Sequence, residues 1–269
     1  MIIDKKGADY HNKMMLEKAW ENTPLLHALE DVNIYPDISQ DNLNIMLIKA
    51  TRNGEVQTVE YVLKRGADVN HRPFLSSSEE EWHILSKHAY KRTPLIENAI
   101  QGFRYYSFDS YNKYKKLQIS PQIAEILLKA GADPDITDSE GKTALHYTIG
   151  EHLNLAGFRP IPKSRHEDGY IYSVLPPTPQ YHDSIAQTLI KGGANLNIRD
   201  KDGNTPLILA AKNQNPDILK MLLEAKADVK IKNNKEKDVF YYISDEDCFR
   251  VIKEAGLGKH MPRKKKNML

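Results

Sequence analysis

An all-α fold of stacked helix pairs is predicted by three observations: a helix-opening threonine that recurs along the chain, a glycine-alanine phrase that closes each apolar stretch, and a fixed interval between copies. The openings are Thr93-Pro94-Leu95, Thr143-Ala144-Leu145 and Thr205-Pro206-Leu207. The closings are Gly66-Ala67-Asp68-Val69-Asn70, Gly131-Ala132-Asp133-Pro134-Asp135, Gly193-Ala194-Asn195-Leu196-Asn197 and Lys226-Ala227-Asp228-Val229-Lys230. From Ala194 to Ala227 is 227 − 194 = 33 residues, and from Thr205 to Asp238, where the next unit should begin, is 238 − 205 = 33.

Each element follows from local chemistry. Residues 1–43 are read as an N-terminal helical cap, with Met14-Met15-Leu16 and Thr23-Pro24-Leu25-Leu26-His27-Ala28-Leu29 as its apolar stretches. Residues 44–258 form the repeat domain of about five units. Within a unit, threonine accepts from the unpaired N–H groups of the first helical turn, and proline sits where a missing N–H costs nothing. Leu95, Leu145 and Leu207 begin an apolar stripe, and Ala210 and Ala211 let neighbouring helices approach. The second helices, Ile123–Leu128, Ile185–Ile190 and Ile218–Leu223, place apolar residues at helical spacing. Gly66, Gly131 and Gly193 stand where a helix ends in a left-handed turn, and Lys226 replaces glycine there, which predicts a strained or irregular turn. The last unit keeps the helical pattern in Asp238–Ile243 and Cys248–Ile252 without a threonine-proline start.

The period, the phrases and above all Asp200–Ala211 resemble the ankyrin-repeat family over roughly residues 44 to 256. The resemblance implies an all-α ankyrin-repeat solenoid with short β-hairpin fingers between helix pairs and a concave face that binds protein. Against the family spacing three insertions stand out, near 71–92, 103–119 and 153–180. The first contains Ser76-Ser77-Ser78-Glu79-Glu80-Glu81-Trp82, which predicts a short helix near 79–89. The third is proline-rich, through Pro160, Pro162, Pro176, Pro177 and Pro179, and reads as a loop. Residues 259–269 are a basic tail.

Matching to the family names the exposed partner-binding positions: Ser139, Glu140, Lys142 and Glu151 in one unit, and Lys201, Asp202, Asn204, Lys212 and Asn213 in the next. The insertion after Gly102 adds Phe103, Tyr105, Tyr106, Phe108, Tyr111 and Tyr114. Aromatic side chains are favoured interface anchors, and the competing reading folds them back as a small local core. His146 falls where the family carries a structural histidine, so a hydrogen bond between adjacent units is expected there.

Composition excludes other classes. Hydrophobic residues make up 40% and charged residues 28%, the usage of a folded globular chain. A net charge of +2 supplies no long-range pull on nucleic acid or an anionic membrane, so neither is an expected partner. Cys248 is the lone cysteine, which excludes an internal disulfide and fits a cytoplasmic setting. No run long enough to span a bilayer and no secretory signal is expected, and no cofactor or metal is implied. The function predicted is a protein-interaction scaffold, monomeric and non-enzymatic. Abundant Lys, Asn, Ile and Tyr fit an AT-rich genome, hence the alternative of a secreted bacterial or viral effector acting in host cytoplasm. A second alternative is a metal-dependent or other enzyme built in the 153–180 insertion from His152, His166, Glu167, Asp168, His182 and Asp183, whose spacing matches no metal motif. The basic tail could also serve nuclear import.

Overall fold

Helix ends are where this sequence speaks most directly, and in the computed structural model they fall at the expected caps. The structure describes residues 38–72, 91–101, 106–108, 114–116, 120–149, 165–166, 169–170 and 179–261. The chain divides into two compact units, residues 1–139 and 140–269.

The first unit contains helices α1 (Gln40–Asn53), α2 (Val56–Lys64), α3 (Pro94–Gln101) and α4 (Pro121–Lys129). Ser39 caps α1 by accepting from the Asn42 N–H at 3.4 Å, and Thr93 does the same for α3 through the Ile96 N–H at 3.3 Å. Helix α1 packs on α2 and α3, and α4 packs on α2 and α3, so that Met46, Leu47, Val59, Leu95, Ile123 and Leu127 share one core. Because α1 begins at Gln40, position 44 lies a turn inside the helix rather than at a boundary.

The second unit contains α5 (Ala144–Thr148), α6 (Pro179–Lys191), α7 (Pro206–Lys212), α8 (Pro216–Glu224), α9 (Val239–Tyr242) and α10 (Glu246–Glu254). A 3-10 turn, Gly258–His260, follows. Inner helices α5, α7 and α9 pack in succession, and outer helices α6, α8 and α10 do likewise. Leu145, Ile185, Leu189, Leu207, Ile218, Leu219, Leu222 and Ile252 are essentially without exposure. The missing threonine of the last pair is made good by Asp238, whose carboxylate accepts from the Tyr241 N–H at 3.1 Å, and by Asp245, which caps α10 at Asp247 and Cys248.

The closing turn recurs with one hydrogen-bond pattern. Ala194 N–H donates to Leu189 at 3.1 Å, Ala227 N–H to Leu222 at 3.0 Å and Leu257 N–H to Ile252 at 3.0 Å. Lys226 therefore makes a regular turn, not an irregular one, but at φ 65, the left-handed region where Gly193 has φ 85. The strain expected there is present and the irregularity is not. Asn70 and Asn197 carry the phrase onward: Asn70 Oδ1 accepts from the Asp133 N–H and Asn197 Oδ1 from the Asp228 N–H, each at 2.9 Å.

The fingers differ from short β-hairpins. Among the described residues 130–143, 194–205 and 227–238 are turns with no strand, and the last two each close on one backbone bond, Asp200 N–H to the Asn204 carbonyl and Asn233 N–H to the Lys237 carbonyl, both at 2.9 Å, reinforced by a side chain. Asp200 Oδ1 accepts from the Asn204 N–H at 2.7 Å, and Asn233 Oδ1 from the Lys237 N–H at 3.1 Å, one period later. Strands occur instead in the insertions. Within 103–119, β1 (Tyr106–Phe108) pairs antiparallel with β2 (Tyr114–Lys116); within 153–180, β3 (Arg165–His166) pairs with β4 (Gly169–Tyr170). Pro179, read as loop, is the first residue of α6. The residues expected to form the N-terminal cap helices, the helix near 79–89 and the tail beyond Met261 lie outside the described residues.

Candidate interaction surface

The second unit lays its fingers edge to edge. Lys201 N–H donates to the Glu140 carbonyl at 3.0 Å, and Asn234 N–H donates to the Asp202 carbonyl at 2.9 Å. This close approach needs Gly203, where a Cβ would meet the Asn234 backbone nitrogen at 2.7 Å. Main-chain bonds thus fix a row of three turns, and whatever projects from them is held at one repeat per step.

On that row Lys201 and Asp202 are exposed, Glu140 and Lys142 are half-exposed, and Lys201 Nζ lies 3.1 Å from Glu140 Oε1. Lys142 Nζ stands 5.5 Å from the Tyr147 ring centre. At the end of the inner helix α7, Lys212 is exposed, whereas its C-cap Asn213 is half-buried with its amide donating to the Ile149 carbonyl at 2.6 Å. Ser139 is half-exposed. Asn204 is turned inward: it is 3% exposed, and its Oδ1 accepts from Asn233 Nδ2 at 2.9 Å. It joins two fingers instead of offering a surface, because the position before the capping threonine here faces the next turn.

The aromatic insertion is only partly described. Phe103, Tyr105 and Tyr111, and Glu151 as well, lie outside the described residues. Tyr106 and Phe108 are in β1 and Tyr114 is in β2, with Phe108 directly opposite Tyr114 and Tyr106 opposite Lys116 in the register.

His146 does what its position implied. Its Nδ1 accepts from the Thr143 N–H at 3.2 Å, and its Nε2 lies 3.3 Å from the Asn204 carbonyl of the following unit. That pair of partners requires the neutral ring with the proton on Nε2, and burial holds the pKa below its usual value of 6.5. The groups proposed for catalysis do not converge among the described residues: His182 is buried in α6, and no cluster of three or more His, Cys, Asp or Glu there is able to hold a metal ion. His152, Glu167 and Asp168 lie outside the described residues. Cys248 is buried, and desolvation followed by the charges of Asp245, Asp247 and Asp217 pushes its thiol up to about 12, too high to supply a thiolate nucleophile at neutral pH.

One exposed group was missed. Tyr241 is 51% exposed, with the Lys237 ammonium 4.1 Å from its ring centre and Tyr242 edge-on at 5.2 Å. The 33-residue register equates it with Ile208, which is 1% exposed, so periodicity pointed to burial. It is exposed because α9 is the last inner helix among the described residues and none there covers it.

Residues 189–237, from the end of α6 through α7 and α8 to the finger that precedes α9, match the family model for ankyrin repeats in many copies. That stretch is similar to ankyrin repeats. The chain is also similar to an ankyrin repeat protein of fowlpox virus (strain NVSL), 26% identical over 216 residues, 80% of this chain and 46% of the viral one. Rabankyrin-5 of Homo sapiens is 26% identical over 167 residues, 62% of this chain and 10% of its own length. The chain therefore spans less than half the length of either relative. Ankyrin repeats generally mediate protein–protein interaction, and the family is typically non-enzymatic. No helix among the described residues is long and apolar enough to cross a membrane.

Proposed function

We propose that the chain is a scaffold that binds a protein partner through its fingers and inner helices, with Ser139, Glu140, Lys142, Glu151, Lys201, Asp202, Lys212 and Asn213 as contacts, and through the aromatic insertion. The row of fingers carries the reading. Backbone bonds spend the interior of each turn on its neighbour while Lys201, Asp202 and Lys212 remain outward at positions the fold does not need. A rigid, repeated surface of exposed polar residues suits macromolecular recognition, because little ordering entropy is lost when it binds. In the insertion, Phe103, Tyr105, Tyr106, Phe108, Tyr111 and Tyr114 would add anchors, since aromatic residues are favoured at interfaces; Phe108 and Tyr114 are partners in the ribbon register.

The test is affinity capture from cell lysate with three chains of matched helicity: the intact one, one with the six aromatic residues changed to Ser, and one with Lys201, Asp202 and Lys212 changed to Ala. A protein retained by the intact chain and lost from either variant supports the reading and assigns the surface. Retention of no protein by the intact chain overturns it. Likeness to a fowlpox virus protein favours a second reading, in which the chain is an effector whose partner belongs to a host. Capture from host lysate but not from lysate of the source cell distinguishes it.

A further inference from the structure

The near-neutral chain hides a separation of charge in its second unit. Over residues 199–203 and 230–237 the fingers carry Arg199, Lys201, Lys230, Lys232, Lys235 and Lys237 against Asp202, Glu236 and a buried Asp200. Lys230, Lys232 and Lys235 are all exposed. The helices that start from these fingers end at turns of the opposite sign, where Asp217 opens α8 and Asp245, Glu246 and Asp247 open α10. Those four carboxylates lie within the first turns of outer helices, where the helix dipole favours them. The finger lysines are in no such position; among the described residues Lys201 is paired with Glu140, Lys232 with Glu236 at 3.8 Å, and Lys237 stands over Tyr241.

We propose that the fingers at residues 199–203 and 230–237 dock an acidic, extended segment of the protein partner, its carboxylates on Lys201, Lys230, Lys232 and Lys235 and an apolar side chain on the exposed Tyr241 ring. This rests on the scaffold reading and adds the chemistry of the partner. Stacked helix pairs are about 10 Å apart and an extended chain rises about 3.3 Å per residue, so carboxylates three residues apart reach from Lys201 on one finger to the lysine group Lys230, Lys232 and Lys235 on the next. Asp202 and Glu236 interrupt the lysines. Spaced carboxylates pass between such interruptions, whereas the evenly charged backbone of a nucleic acid meets each of them.

The experiment is fluorescence anisotropy of the full chain with a labelled peptide bearing glutamate at every third position and one phenylalanine, measured at low and physiological salt. The Lys201→Gln/Lys232→Gln/Lys235→Gln variant is expected to bind about 10-fold more weakly, three surface charge contacts being worth that much together. A control of equal net charge, Lys191→Gln/Lys220→Gln/Lys253→Gln, alters exposed lysines of the outer helices and is expected to bind within about 2-fold of the parent. Tyr241→Ser is expected to weaken the phenylalanine peptide and leave a version with alanine in its place unchanged. Equal loss in the two triple variants means diffuse attraction and overturns the proposal, as does tighter binding of a thymidine oligonucleotide of the same charge, or no peptide binding. If the peptide fails while the intact chain still retains a captured protein, only the acidic segment is lost; if capture fails too, the scaffold reading falls with it.

Discussion

Lys226 shows how one side chain is read against its backbone. It holds φ 65 in a turn whose hydrogen bonds match those at Gly193, so the difference between the two sites is conformational strain, which for a residue with a Cβ is about 1 kcal/mol. Lys226→Gly is therefore expected to raise the stability of the second unit by about 0.5–1 kcal/mol, read as a later urea midpoint. Gly193→Ala should lower it by about 1 kcal/mol although nothing lies within 4 Å of the added carbon. His146 adds a pH dependence with a definite sign. Its folded pKa is depressed by burial, so the neutral ring's contribution is complete above the ordinary value of 6.5 and is lost as the pH falls below it. Urea unfolding at pH 7.5 and 5.5 should show an acid loss that shrinks in His146→Gln; an equal loss in both chains would assign the effect to other groups. Cys248 should react slowly with a thiol reagent in the folded chain at pH 8 and rapidly in urea, since burial and three nearby carboxylates suppress the thiolate.

At the scale of the element, capping and apolar spacing did separate work. Caps chose where helices start: Asn215 Oδ1 accepts from the Ile218 N–H at 3.1 Å ahead of Pro216, and Asn215→Ala should cost about 1 kcal/mol in chemical unfolding. Spacing chose the buried face of α8, where Ile218, Leu219 and Leu222 have no exposure while Lys220 is exposed. Leu219→Ala should cost about 2–5 kcal/mol, far more than the cap, because it leaves a cavity among packed neighbours. The period placed a start at Asp238, which caps α9, but Asp245, which caps α10, was not anticipated, although aspartate accepts the same N–H groups as threonine equally well.

At the scale of the whole chain, stability is carried between neighbours. Helix α10 covers α8 as α8 covers α6, so each pair is completed by the next. Ending the chain at Lys237 removes α9 and α10 and uncovers the apolar sides of α7 and α8. Circular dichroism melts of that truncation are expected to show a lower midpoint and a broader transition than the intact chain, with aggregation at high concentration; an unchanged melt would mean that α9 and α10 contribute nothing to their neighbours.

The helix pairs and the closing turns were determined by the sequence itself, because caps, left-handed turns and helical spacing are properties of a few adjacent residues and repeat with the period. Gly66, Gly131, Gly193, Thr93, Thr143 and Thr205 all occupy the turns and caps that their types require. The candidate surface was legible only as positions. Which of them face outward was decided by contacts between residues far apart in the chain: Asn204 is drawn inward by Asn233, and Asn213 is tied to Ile149. Tyr241 stays exposed although its counterpart Ile208 is covered. Position within a repeat sets the direction a side chain takes, but exposure depends on what the next repeat brings against it. That is a tertiary property, and no local pattern encodes it.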